Sequence, residues 1–289
     1  MSTVIIRLSS LGDIVLSAAI TQALAPVTYI TSAPYKELVR QFPGVDAVCV
    51  PTEDPLPKSA HRIIDLHANW RSFWIRQNIK GPTRRIQRHD ILRRTRVWFK
   101  NDKVPPSVLQ RYATAAKVQP SALPWLSRSR SGETLLMCPT AKHATKQWPK
   151  EKFIALAQAW KGPVTLLGGP TELPLINRMV DAIGPKAQGI AETGFAQTFE
   201  AMNTAQLAVG LDSGLTHLCT AFGIPTLVIM GPTTETDGFW PHASATVSLP
   251  LYCRPCSRFG GPVCPIGDHY CMERLSVPRV LNHLNSLRT

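Results

Sequence analysis

The sequence predicts an α/β protein of two domains, each a parallel sheet with crossover helices. Three observations carry that expectation. Short apolar runs alternate with stretches of helical length, the pattern of strand–helix–strand crossovers. The alternation stops over residues 119–132, where Pro120, Pro124 and four serines read as a linker, and then begins again. The 289 residues, 44% hydrophobic and 18% charged, suffice for two ordinary cores and are too apolar for a disordered chain. The expected domains are 1–125 and 133–289, with the final helix packing back on the first.

Taken in order, residues 3–8 (TVIIRL) read as a buried strand, and Ser9-Ser10-Leu11-Gly12 as a short loop before a helix over 13–24. Residues 27–31 (VTYIT) are the next strand. A helix near 35–41 leads through the turn at Pro43-Gly44 to a strand at 47–50, and residues 61–66 (HRIIDL) give another. A basic stretch, helical in part, follows. After the linker, strands at 134–138, 164–168, 206–211 and 226–230 alternate with helices at 150–160, 173–183 and 214–222, and a last helix spans 276–287. No repeat of solenoid length occurs. Two such domains imply a cleft, and ligands of open parallel sheets bind beyond the carboxyl ends of strands, so the loops after strands hold the candidate chemistry.

The net charge is +13 and the pI about 9.7, which favours anionic partners. Much of this charge is local: between Arg71 and Lys103 there are 11 Lys or Arg against only Asp90 and Asp102. A solvated helical face and a surface for an anionic ligand both account for such a run. Residues 14–35 carry no charged side chain, yet their Ser, Thr, Gln and Pro content argues against a span, which needs about 20 predominantly apolar residues. No cleavable leader is expected, and the protein reads as cytoplasmic, with peripheral contact at the inner face of the cytoplasmic membrane.

Five loops could carry chemistry. In the first, Ser10 and Gly12 precede Asp13 at a helix start, where Asp13 is either an N-cap or a reacting carboxylate. No G-x-G-x-x-G stands there, which removes support for a dinucleotide-dependent oxidoreductase. The second, Asp212, Ser213, Gly214, Leu215, Thr216 and His217, follows an apolar strand and opens a helix, a natural seat for phosphate. In the third, Lys146 stands before Trp148-Pro149 and could reach a phosphate. In the fourth, Gly168-Gly169-Pro170-Thr171-Glu172, Glu172 suits either ribose hydroxyls or the helix dipole. The fifth holds Cys253, Cys256, Cys264 and Cys271. Its C-x-x-C spacing fits a structural zinc ligand set, free thiols or a redox pair.

In this order, the loops resemble the heptosyltransferases of glycosyltransferase family nine. RLSSLGDIVLS resembles the family's opening strand, loop and helix. KQWPKEKF followed by VTLLGGPTE resembles the start of its second domain. LDSGLTHLCTAFGIPTLVIMGPT resembles its most diagnostic segment, and LYCRPC through DHYCMERLSV its cysteine-bearing ending. The resemblance is weakest over residues 51–132. It implies two Rossmann-like domains in the GT-B arrangement, and inverting, metal-independent transfer of heptose from ADP-heptose to the inner core of lipopolysaccharide. It makes Asp13 the catalytic base, Lys146 a holder of donor phosphate, and residues 212–217 the donor loop. Ala19 and Thr140 depart from the family, standing where a proline and a glycine are common.

On this reading no cofactor is required for catalysis, and zinc on the cysteines would be structural. The partners are an ADP-sugar and the lipopolysaccharide core or another phosphorylated glycolipid, with Arg71, Arg84, Arg85, Arg88, Arg93, Arg94 and Arg96 as acceptor contacts. Trp74, Trp98 and Phe99 would stack on sugars, touch a membrane surface or pack internally. Two rivals stand beside it. A nucleic-acid-binding protein would explain the charge but not two phosphate-type loops. A catalytically silent sugar-nucleotide-binding module would keep the loops without the turnover.

Overall fold

A computed structural model describes residues 2–100, 104–128, 132–192, 194–235 and 245–288. The chain divides into two compact units, Met1–His89 with Pro106–Ser127, and Asp90–Pro105 with Arg128–Thr289. The expected first domain is thus interrupted, because Asp90–Pro105 of the basic stretch belongs to the second unit.

In chain order the first unit contains β1 (Thr3–Ile6), α1 (Leu11–Thr21), β2 (Val27–Ile30), α2 (Lys36–Arg40), β3 (Val45–Cys49), β4 (Arg62–Asp65), α3 (Trp70–Gln77) and β5 (Thr83–Arg85). Helix α4 (Asp90–Phe99) lies in the second unit, and α5 (Val108–Ala116) in the first. The sheet order is β3-β2-β1-β4-β5, all parallel. Val4, Ile5, Ile6, Ile63 and Ile64 are fully buried, as an apolar run requires in a sheet covered on both faces. Helix α1 is buried from Ile14 to Thr21 and packs against α5. It begins two residues before the expected start, which places Asp13 inside its first turn. The linker reading of 119–132 needs correction: Trp125 and Leu126 are buried, and Ser121 N donates to Ala19 O (2.7 Å), so this stretch is anchored. Residues 129–131 of that stretch lie outside the described residues.

The second unit continues with β6 (Thr134–Cys138), α6 (Lys150–Ala159), β7 (Val164–Gly168), α7 (Leu173–Ile183), β8 (Ala187–Ala191), α8 (Ala196–Asn203), β9 (Ala205–Leu211), α9 (Gly214–Ala221), β10 (Thr226–Ile229), β11 (Ala245–Val247), α10 (Tyr270–Glu273) and α11 (Val277–Asn285). Its sheet is also parallel, in the order β11-β10-β9-β6-β7-β8. Trp148, Phe153 and Leu156 fill one core with Leu135, Leu166 and Val209. Val280 and Leu284 of the final helix, α11, are buried in this same core, and α11 contacts α6 and β11.

Both sheets are built outward from a central strand and then restart on its other side. The strand order reverses between β1 and β4 in one unit and between β6 and β9 in the other. The loops after these strands diverge there, which makes each reversal a ligand crevice. Asp13 follows β1, Lys146 follows β6, and Asp212 follows β9.

Candidate active site

In the first unit, Asp13 does not act as a helix cap. The N-cap of α1 is Ser10, and no side chain caps that end. Instead the Asp13 carboxylate pairs with Arg7, and Ser10 Oγ donates to Asp13 Oδ2 (2.9 Å). Tyr112 OH, brought by α5, reaches Asp13 Oδ1 at 3.4 Å and its carbonyl at 3.3 Å. Arg7 is held in turn by Leu66 O at 2.5 Å. Burial works against the Arg7 charge, but Tyr112 and Asp13 outweigh it and raise its pKa. Burial likewise pushes the Tyr112 phenol well up, so it stays a neutral donor. At the end of β4, the fully buried Asp65 accepts from His67 N (3.1 Å), Ala68 N (2.7 Å) and Ser72 Oγ (3.0 Å), fixing the loop that carries His67. Burial, then the charge of Arg7, lowers the His67 pKa and keeps its ring neutral near pH 7.

In the second unit, the loops after β6 and β9 meet. Lys146 Nζ lies 2.5 Å from Asp212 Oδ2, and His217 Nε2 lies 3.5 Å from Asp212 Oδ1. Thr233 Oγ1, after β10, donates to Asp212 Oδ2 (3.2 Å). Burial alone would raise the Asp212 pKa, but Lys146 and His217 hold it well below the usual carboxylate range. No side chain caps α9, whose N-cap is Ser213; Ser213 Oγ instead meets Thr216 Oγ1 at 3.2 Å. A Cβ at Gly210 would stand 2.4 Å from Thr216 Oγ1 and 2.7 Å from Cys138 Cβ, so glycine there lets α9 start hard against β9. Ser213, Gly214 and Leu215 are half-buried, and Thr216 and His217 buried. The anion that His217 addresses is thus the Asp212 carboxylate. Glu172 closes its own turn: Glu172 Oε2 accepts from Gly169 N (2.6 Å) and Thr140 Oγ1 (2.8 Å). Thr140, where the family commonly has glycine, supplies that second donor.

A family model described as glycosyltransferase family 9 (heptosyltransferase) matches residues 83–262, more than half of the chain. The chain belongs to glycosyltransferase family 9. The matched segment of this family 9 chain includes Lys146, Glu172 and 212–217, and leaves Asp13 outside. The chain is 27% identical over 157 residues to a lipooligosaccharide heptosyltransferase 2 of Campylobacter jejuni, covering 50% of this chain and 48% of that protein. The chain spans about half the length of the curated relatives it matches. Two solved structures share its fold along almost all of both chains. E. coli ADP-heptose LPS heptosyltransferase II superposes with a TM-score of 0.72 at 17% identity, covering 100% of this chain and 98% of that one. E. coli heptosyltransferase WaaC with ADP superposes with a TM-score of 0.70 at 14% identity, covering 99% and 100%. The fold class is the expected one, two parallel-sheet α/β units as in the GT-B heptosyltransferases.

Other residues of the family 9 chain divide differently from expectation. Arg71, Arg84, Arg85 and Arg88 are exposed in the first unit. Arg93 is corrected as an acceptor contact: it is buried in the second unit, 4.3 Å over the Phe259 ring, with Nη2 donating to Arg258 O (3.4 Å). Trp74, Trp98 and Phe99 are not packed internally, being 62%, 73% and 72% exposed. Among the described residues no helix is long and apolar enough to cross a membrane. Nor is any group of three or more His, Cys, Asp or Glu among them placed to hold a metal ion. None of Cys253, Cys256, Cys264 and Cys271 is in a disulfide, and burial, then its neighbouring thiols, pushes Cys271 up to about 11. Arg7, His67 and Tyr112 in the first unit, and Thr233 in the second, join the candidate residues of their own unit unannounced by sequence. For His67 and Thr233 the available signal was position, since each stands in a loop directly after an apolar strand.

Proposed function

We propose that this protein transfers heptose from ADP-heptose to the inner core of lipopolysaccharide, inverting the anomeric carbon. The observation that carries the reading is the convergence of Lys146 and His217 on Asp212 beside the uncapped start of α9. Lys146 has three N–H donors, and Asp212 takes one. The others, with the backbone N–H groups of Ser213 and Gly214, are available to the donor diphosphate. Glu172 keeps Oε1 for a ribose hydroxyl. The relatives' names, an ADP-heptose LPS heptosyltransferase and a heptosyltransferase with ADP, supply the donor and acceptor classes.

The proposed chemistry is one in-line displacement. The acceptor hydroxyl oxygen bonds to the anomeric carbon, its proton passes to Asp13, and the bond to the diphosphate oxygen breaks, with ADP keeping the electron pair. Arg7, Ser10 and Tyr112 aim the Asp13 carboxylate. Lys146 and the α9 N-terminus stabilise charge on the leaving ADP while His217 holds Asp212 in place, so the chain's own lysine and helix end serve in place of a metal. Exposed Arg71, Arg84, Arg85 and Arg88 are proposed to hold acceptor phosphates and carboxylates, and exposed Trp74 to stack on sugar or rest at the membrane surface. The working location is the cytoplasm, at the inner face of the cytoplasmic membrane.

A structural metal on Cys253, Cys256, Cys264 and Cys271 is a separate proposal. Four thiols suit zinc or iron. As placed, they are not gathered about a common point, so binding would draw the tail together. The deciding experiment for the transfer is turnover with ADP-heptose and defined core acceptors, with product anomeric configuration read by NMR. No transfer with intact ADP binding would leave a silent sugar-nucleotide-binding module.

A further inference from the structure

The cysteine-bearing tail touches both loops of the donor site. Arg254, between Cys253 and Cys256, spreads its guanidinium over three carbonyls: Nε to Gly231 O (2.5 Å), Nη1 to Leu249 O (2.7 Å) and Nη2 to Thr233 O (2.9 Å). Cys256 N donates to Pro232 O (3.0 Å), so the 231–233 loop is gripped along its length. That loop carries Thr233, whose hydroxyl donates to the same Asp212 oxygen that Lys146 contacts. On the other side, His269 Nε2 donates to Thr145 O (2.7 Å), and Thr145 Oγ1 exchanges hydrogen bonds with Gly261 N (2.8 Å) and Gly261 O (3.1 Å). Thr145 precedes Lys146 in the short 3-10 turn Ala144–Lys146. A Cβ on Gly260 would lie 2.8 Å from His143 Cβ and 3.2 Å from Lys146 Cγ, so the tail lies directly on that turn.

We propose that Arg254 and Thr233 are positioning residues of the donor site. Arg254 fixes the 231–233 loop, Thr233 orients Asp212, and Asp212 aims the ammonium of Lys146. A lysine at 254 brings a compact charge rather than a planar fork, and cannot span three carbonyls in that geometry. Thr233 is buried, so replacing its hydroxyl by a methyl keeps the volume and removes only the donor. The inference rests on the donor reading given above, since aim matters only if Lys146 meets a phosphate.

The test is ADP binding by calorimetry on the full chain, which needs no acceptor and no turnover, with melting temperature measured alongside. Thr233→Val should weaken ADP by about tenfold, the scale of one misdirected charge-assisted contact. Thr233→Ser, which restores the hydroxyl, should recover most of the affinity. Arg254→Lys should reproduce the Val loss. In a Lys146→Met background, Thr233→Val should add less than about twofold, because its effect passes through Lys146. Wild-type affinity in Thr233→Val, equal losses for Val and Ser, or losses that add in the Lys146→Met background would each overturn the inference while leaving the donor reading intact. A wild type that binds no ADP overturns both.

Discussion

Replacing Lys146 by methionine tests the donor site on two readouts at once. Lys146 and Asp212 keep only 12% and 7% side-chain exposure, so the variant leaves a carboxylate largely out of water without its nearest cation. Removing one partner of a fully buried pair costs about 3–5 kcal/mol. Here His217 and Thr233 stay with Asp212, and the lysine is not fully enclosed, so a loss of about 1–3 kcal/mol is expected. In a unit of this size that lowers the melting temperature by about 3–10 °C at pH 7. The pH dependence follows from the depressed Asp212 pKa. A carboxylate with a lowered folded pKa contributes stability above its unfolded value of about 3.9 and loses it as pH falls towards the folded value. The gap between wild type and variant should therefore be full at pH 7 and shrink below about pH 4. ADP affinity should fall about tenfold or more through the lost phosphate contact. Thermal melts from pH 7 to pH 3 and calorimetric ADP titration measure both effects. An unchanged melting temperature at pH 7 together with unchanged ADP affinity would refute the pairing and the donor role alike.

Three further outcomes are expected. Asp13→Asn should cut turnover by at least about 100-fold with ADP affinity unchanged, as expected for loss of a positioned base; because Arg7 loses its ion pair, a stability loss of about 1–3 kcal/mol should accompany it, and near-normal turnover would send the search for the base elsewhere. Reversing Arg84, Arg85 and Arg88 to Glu should raise the acceptor KM and leave ADP binding alone, whereas Arg93→Glu should mainly lower the melting temperature, since Arg93 is packed on Phe259. Metal analysis of the purified chain should find about one equivalent of zinc or iron, with destabilisation on chelation; four titratable tail thiols and no metal would end the structural-metal proposal.

The fold was legible where the sequence runs apolar. β1, β4, β6, β7, β9 and β10 are central or near-central strands, and each is built round an apolar stretch at or near the expected residues. β5 (TRR), β8 (AQGIA) and β11 (ATV) were missed. Two are edge strands of the second sheet and one an edge of the first, and an edge needs pairing on only one side. Their backbone hydrogen bonds come from the neighbouring strand rather than from any pattern of their own. The site was legible in its loops for the same topological reason. The tyrosine at Asp13 was not, because Tyr112 stands 99 residues away and looks like any buried aromatic of an amphipathic helix. Arg7 was hidden as the polar end of an apolar strand.

The basic stretch shows where a linear reading stops. Arg84, Arg85, Arg88 and Arg93 form one run of like charge, yet Arg93 is buried and the other three exposed. What separates them lies more than 150 residues downstream. Phe259 offers Arg93 a ring face, Arg258 O offers it a carbonyl, and Arg258 itself pairs with Asp90 at 3.1 Å. Lys100, on the same segment, donates to Cys253 O at 2.9 Å. A guanidinium tolerates such a site because it is weakly hydrated and stacks on aromatic faces. The cysteine tail therefore has two sets of contacts in its own unit. Its Arg258 and Phe259 hold α4, while its Arg254 and His269 hold the loops bearing Thr233 and Lys146. Arg93 and Lys100 thus help to build the unit that carries the proposed donor loops. Arg71, Arg84, Arg85 and Arg88 stay exposed in the first unit, and they are the arginines proposed to meet an anionic acceptor.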